Sequence, residues 1–279
     1  MYAVIECTKN NSRKAWLGGV LIRVFTCIWI FISLLGASAS FADEEEALNK
    51  AAMNRLAHMV DPGIPVALGK IVVRQAAIQR ARAILSDLGR TNGVAQWSDS
   101  PEWKAAEEQL LLDANRLVDE GINDPSWCFD ILEREVASHM TAEEADYVAN
   151  HFMTETGKEQ WSILHIRIIS EVMVFSYTFT RSGRIDPSVT GTEADFDELS
   201  KAYWKYEPFK NRKILGTRDA IKFAGEGAGL KFQKMMAIPV VQGFLKHIDQ
   251  NSKRAEESVN KNASGVQRYI DAYFARTRS

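Results

Sequence analysis

The stretch "MTAEEADYVANHFMTETGKEQW", Met140 to Trp161, decides the fold class of this chain. Thr141 followed three residues later by Glu144 forms a capping box: the Thr141 hydroxyl accepts from the Glu144 amide while the Glu144 carboxylate reaches back to the Thr141 amide. The helix so opened is expected to end near Thr154. Gly157 then offers the permissive backbone that a bend into the next helix requires. From Lys158 to Thr180 the chain is strongly apolar, with Trp161, Leu164, Ile168, Val172, Phe175 and Phe179 at helical spacing. Such a helix belongs at the centre of a core. The local unit is therefore a helical hairpin.

Working outward, helical signals recur on both sides. Asp43–Val60 opens with four acidic residues, places Leu48, Ala52, Leu56 and Met59 three and four apart, and stops at "DPG". Ile64–Leu88 follows and is expected to end at Gly89. The turn-rich "GRTNGVAQWSDSP", Gly89 to Pro101, reads as a boundary. Ser100 can cap a helix with Pro101 at its first position, running to about Glu120. Trp127–His139 carries Ile131, Leu132 and Val136 on one side. A polar stretch, Arg181 to Asp195, is a second boundary. Beyond it Phe196–Trp204, Pro208–Glu226, Leu230–His247 and Ser252–Arg276 read as helices, with Pro239 expected to kink or divide the third. No period-two alternation and no βαβ spacing occurs. The expected fold is all-α, a compact multi-helix bundle, organised as residues 43–99, 100–185 and 190–279 after a leader.

A second stretch, "IKFAGEGAGLKFQKM" from Ile221 to Met235, repeats one feature of the first. Phe223 stands six residues ahead of Gly229, as His151 stands six ahead of Gly157. Phe232 and Met235 fall near the places of Trp161 and Leu164. No capping box precedes it at the matching distance, since Thr217 is only six residues before Phe223. The sequence leaves open whether this is a degenerate second hairpin, stacked on the first as small helical repeats are, or an unrelated glycine turn.

The segment Thr141–Gln160 resembles a family of exported bacterial helical domains known as a domain of unknown function. The residues that carry the resemblance are Thr141, Glu144, Phe152, Thr154, Gly157 and Lys158, within a match of roughly Ser126–Ile169. Ala145 replaces the family's usual leucine, and His151 stands where an aromatic is expected. The resemblance implies an exported all-helical domain. It brings with it no catalytic residue, cofactor or ligand.

The amino terminus agrees with export. Lys9, Arg13 and Lys14 precede the uncharged "VFTCIWIFISLLG", Val24 to Gly36, and small residues at Ser40 and Ala42 precede Asp43. That is the order of a secretory signal, with cleavage expected after Ala42. Leu17–Leu35 is long enough for a retained anchor, but Arg23 interrupts it. Removing residues 1–42 takes away four cations (Lys9, Arg13, Lys14, Arg23) and one anion (Glu6), so the formal charge moves from −2 to −5. A mildly acidic chain without a basic stripe offers no electrostatic case for nucleic acid. Cys7 and Cys27 leave with the leader, and Cys128, between Trp127 and Phe129, is expected to be a buried, inert thiol. A periplasmic or secreted bacterial protein with no stable membrane span after cleavage is the expectation.

Signals for chemistry are weak. None of His58, His139, His151, His165 and His247 forms the paired-histidine, one-turn pattern of a helical metal site, so no metal or cofactor is implied. Glu143 and Glu144 sit at a helix N-terminus, which favours their charged form and disfavours a general acid. "GEGAG", Gly225–Gly229, lacks the Lys-Ser/Thr of a phosphate loop and reads as a helix–helix turn. Around "AYWKYEPF", Ala202 to Phe209, Lys201, Lys205 and Lys210 are interleaved with the rings of Tyr203, Trp204, Tyr206 and Phe209, which are expected to pack inward while the lysines reach outward. The capping-box and glycine residues Thr141, Glu144, Phe152, Gly157, Lys158 and Gly229 are expected to be structural. Non-enzymatic binding or scaffolding in the cell envelope, with an envelope protein as partner, is the first functional expectation. A carrier holding an apolar or amphipathic ligand against the Trp161–Phe179 face is the alternative, and a helical envelope hydrolase the second.

Overall fold

A computed structural model describes residues 46–94, 97–163, 193–204, 217–225 and 227–278. The chain forms two compact units, Met1–Ala51 and Ala52–Ser279. In the first, residues 46–51 are described and are helical with exposed side chains. In the second, residues 52–57 are helical and the helices that follow are α1 (Gly63–Thr91), α2 (Pro101–Val118), α3 (Ser126–His139), α4 (Ala142–Met153), α5 (Glu155–Ile163), α6 (Glu193–Trp204), α7 (Arg218–Gly225), α8 (Gly227–Met235), α9 (Val241–Asn262) and α10 (Gln267–Arg278). The fold is an all-α multi-helix bundle, with no strand among the described residues. No helix among them is long and apolar enough to cross a membrane.

α1 is the central helix of the described core. Asp61 accepts from the Gly63 amide at 2.9 Å and starts it. Its first half buries Ile64, Val66, Ala67, Leu68, Ile71, Val72 and Val73, on every side of the helix. A helix apolar all round must be covered all round, and here α9, α2 and α6 provide the cover. Charged pairs at the rims fix the registers: Lys70 to Glu198 on α6 at 2.9 Å, Arg82 to Glu107 on α2 at 2.6 Å. Each is partly solvated and contributes little beyond alignment. The stretch expected to be central, Lys158–Thr180, is described only as far as Ile163, so the remainder lies outside the described residues.

Several expected boundaries move. α1 does not end at Gly89, which is buried within it; the helix continues to Thr91 and closes on Gly93, whose φ of +71° suits a residue without a Cβ. Gly89 is instead small because the Trp97 indole packs onto it. Ser100 caps α2 as expected, its Oγ accepting from the Trp103 amide at 3.1 Å. α2 then widens into a π turn, Asp119–Asn123. Pro239 sits in a second π turn, Met236–Val240, that joins α8 to α9. The expected break before Ser252 is absent. Asn251 and Ser252 are polar but buried, and bond the carbonyls of His247 and Ile248 one turn back, so α9 runs through them. The interruption comes at the 3₁₀ turn Ala263–Val266.

Candidate functional site

The capping-box motif and the second glycine stretch meet in space. Thr141 Oγ1 accepts from the Glu144 amide at 3.2 Å, and Glu144 Oε2 accepts from the Thr141 amide at 2.8 Å. Glu144 also accepts from Lys231 Nζ on α8, at 2.7 Å. These donors stabilise its charge and hold its pKa below the ordinary carboxylate value, Lys231 first and the Thr141 amide next. The α4–α5 and α7–α8 hairpins pack together through rings: His151 stacks on Phe223 at 3.7 Å, and Phe152 meets Phe223 at 5.2 Å, Trp161 at 4.6 Å and Phe232 at 5.5 Å. His151 Nε2 donates to Gln160 Oε1 at 2.6 Å, and Gln160 Nε2 donates to the Ala220 carbonyl at 2.9 Å. His151 is therefore bound into packing.

Gly157 holds its place for a reason other than the expected one. It has no positive φ; the chain turns at Thr154, and Gly157 lies in the first turn of α5. A Cβ there would run into the His151 carbonyl oxygen. Gly229 bears the same relation to the Phe223 carbonyl oxygen, again six residues back. Thr217 caps α7 as Thr141 caps α4, accepting from the Ala220 amide at 3.3 Å, without the reciprocal carboxylate. The turns differ as well, since Gly227 carries a φ of +55° where the first hairpin has Thr154 in an extended conformation. Phe152 and Gly229 are buried in this junction, whereas Lys158 lies exposed on α5. "GEGAG" is a helix–helix turn, with residue 226 outside the described set.

The remaining sequence candidates are held in structural roles. Cys128 is buried and unpaired, and desolvation pushes its thiol pKa upward, which keeps it from forming a thiolate. His58 bonds Glu133 at 2.8 Å and stacks on Phe129, and His139 bonds the Glu135 carbonyl. His247 contacts the carbonyl of Gly121, within the π turn, at 2.9 Å and stacks on Trp127 at 4.4 Å. No group of three or more metal-ligating side chains occurs among the described residues. His165, most of Trp161–Phe179 and most of "AYWKYEPF" lie outside the described residues.

A cleft that sequence reasoning missed lies where α1 gives way to α2. Its volume is about 540 Å³, and Ser86, Arg90, Gly93, Val94, Trp97, Ser98 and Trp103 line it. Gly93 reverses the chain, Val94 donates back to the Gly89 carbonyl at 2.8 Å, and the 3₁₀ turn Trp97–Asp99 leads into the Ser100 cap. Trp97 is 1% exposed and packs edge-on against Trp103 at 5.0 Å and Tyr273 of α10 at 6.4 Å. Its indole N–H, lodged against Gly89, has no acceptor. Arg90 is 81% exposed at the rim, paired with Asp87 at 3.2 Å. The two tryptophans of "WSDSPEW", six apart across a helix cap, were the available signal.

The fold and these sites define a helical-bundle protein with a cleft at the junction of α1 and α2. Comparison of the chain with known protein families, with curated proteins and with solved structures returns no match.

Proposed function

We propose that this chain is an exported bacterial protein of the cell envelope that binds rather than catalyses. The observation that carries the reading is the cleft at Ser86–Trp103. Its volume falls in the range of small-molecule sites, roughly 300–1,000 Å³, and Arg90, two serine hydroxyls, Val94 and the edges of two largely buried indoles make a lining of mixed polarity. The leader-like residues 1–42 and the resemblance of Thr141–Lys158 to exported helical domains support the location. A hydrolase fits the cleft poorly, because a serine nucleophile needs an adjacent base. Neither Ser86 nor Ser98 has a histidine, lysine or carboxylate among the other lining residues.

Scaffolding is the second reading, favoured by apolar side chains on the paired hairpins. Tyr147 is 52% exposed, Ile221 62% and Met153 66%. Large exposed apolar groups on neighbouring elements suit a protein partner. Native mass spectrometry of protein purified from the envelope separates the two. A retained small organic mass supports the binding reading, a retained polypeptide the scaffold. A bound nucleotide or metal overturns both, and a reporter fused to residues 1–50 that stays in the cytoplasm overturns the location.

A further inference from the structure

We propose that Asn92–Gly93, at the carboxyl end of α1, is a self-modifying site that converts in the folded protein to aspartate or isoaspartate, with water as the only co-reactant. Asn92 is the one asparagine in the chain that is followed by glycine. In the reaction the Gly93 amide nitrogen gives up its proton and bonds to Cγ of Asn92, the Cγ–Nδ2 bond breaks, and ammonia leaves. The five-membered imide then takes up one water and opens at either carbonyl. Opening at one gives aspartate; opening at the other gives isoaspartate, with the main chain rerouted through the side chain. Glycine suits the attacking position because it has no Cβ to crowd ring closure. Gly93 is exposed, and nothing beyond its chain neighbours lies within 4 Å of where a Cβ would stand.

The end of α1 holds the reaction back while it stays wound. Asn92 has a ψ of 5°, which sets the Gly93 nitrogen beside the Asn92 nitrogen and away from Cγ. The Gly93 amide donates to the Arg90 carbonyl at 3.2 Å, and Asn92 Nδ2 donates to the Leu88 carbonyl at 2.8 Å. Conversion therefore passes through an unwound last turn. Helix ends open at low cost in free energy, and here Arg90, Thr91 and Gly93 are all exposed. The product cannot rebuild the turn as it was. A carboxylate at position 92 has no donor for the Leu88 carbonyl; it meets that oxygen with like charge, at the negative end of the helix. The turn that guards Asn92 is thus weakened by what it fails to prevent. Gly93 and Val94 line the cleft, so the altered turn borders it.

The experiment is peptide mapping by mass spectrometry of the protein obtained by expressing the full chain, incubated in mildly alkaline buffer with and without concentrated urea. In urea the Asn92 peptide is expected to gain one mass unit ahead of every other asparagine peptide. In the folded protein it should convert about ten to a hundred times more slowly. Gly93→Ala, compared in urea where folding plays no part, should convert several-fold more slowly than the parent. Asn92→Asp should lower Tm by about 2–4 °C, and Asn92→Ala, which loses the donor without adding a charge, by less. An Asn92 peptide left unchanged in the folded protein, after incubation well over a hundred times longer than urea requires, overturns the site. Equal rates with and without urea overturn the guarding role of the last turn. An Asn92→Asp protein that melts with the parent overturns the weakening assigned to the product.

Discussion

Gly157→Ala tests the hairpin packing most directly, because two effects of opposite sign compete there. Alanine is favoured over glycine inside a helix by about 1 kcal/mol, and Gly157 lies in helical backbone without positive φ. Propensity alone would make the variant more stable. The added methyl, however, meets the His151 carbonyl and the Phe152 Cα, main-chain atoms that no rotamer change can move aside. α5 must shift away from α4, loosening the Gly157 amide from Thr154 Oγ1 and Phe152 from Trp161. Overpacking of this kind costs about 1–3 kcal/mol and sometimes more. With ring packing lost besides, a net destabilisation of about 2 kcal/mol is expected. At roughly 2–4 °C per kcal/mol for a domain of this size, Tm should fall by about 4–8 °C. Gly265→Ala is the control, since nothing lies within 4 Å of its Cβ position and its φ is not positive. It should change stability by less than about 0.5 kcal/mol. Urea unfolding followed by circular dichroism reads both. A Gly157→Ala protein as stable as Gly265→Ala would refute the carbonyl-contact account.

Thr141→Ala removes the acceptor for the Glu144 amide and should cost about 1 kcal/mol in the same assay. Glu144 has a folded pKa below its ordinary 4.5, so its contribution is complete above that value and is lost as pH falls through the lowered one. Lys231→Met removes the largest cause of the shift, so urea midpoints of that variant should decline less steeply than the parent's below about pH 4.5. Equal acid slopes in the two proteins would count against the pairing. Gly93→Ala places a Cβ at a φ of +71° in otherwise open space, so it should cost about 1–2 kcal/mol from backbone strain alone, and Gly93→Asn less, as judged by thermal melts.

What the chain declared about itself divides by range. The Thr141–Glu144 box was legible because both partners lie within one helical turn, and the same holds for Ser100 before Pro101. Gly157 could be located but not explained: the sequence suggests a turn glycine, whereas the demand comes from a carbonyl of the preceding helix. The continuity of α9 was hidden because Asn251 and Ser252 look like surface residues until their own helix is seen to satisfy them. The Trp97 cleft was hidden further. Tyr273, well over a hundred residues away, packs against Trp97, and the cleft's shape depends on how tightly Gly93 reverses the chain.

The pairing of α1 with α9 has a kinetic consequence. Val241 lies 150 positions after Thr91, and at about 5–20 residues per second of synthesis that separation amounts to some 8–30 seconds. Through that interval the helix with apolar residues on every side lacks a main partner. Contacts this distant in sequence form slowly even in the finished chain, because a long loop must close before they are rewarded. The nascent polypeptide therefore presents Ile64–Val73 as an unsatisfied apolar segment. A holding chaperone is expected to find it there, and α9 to displace that chaperone when it arrives.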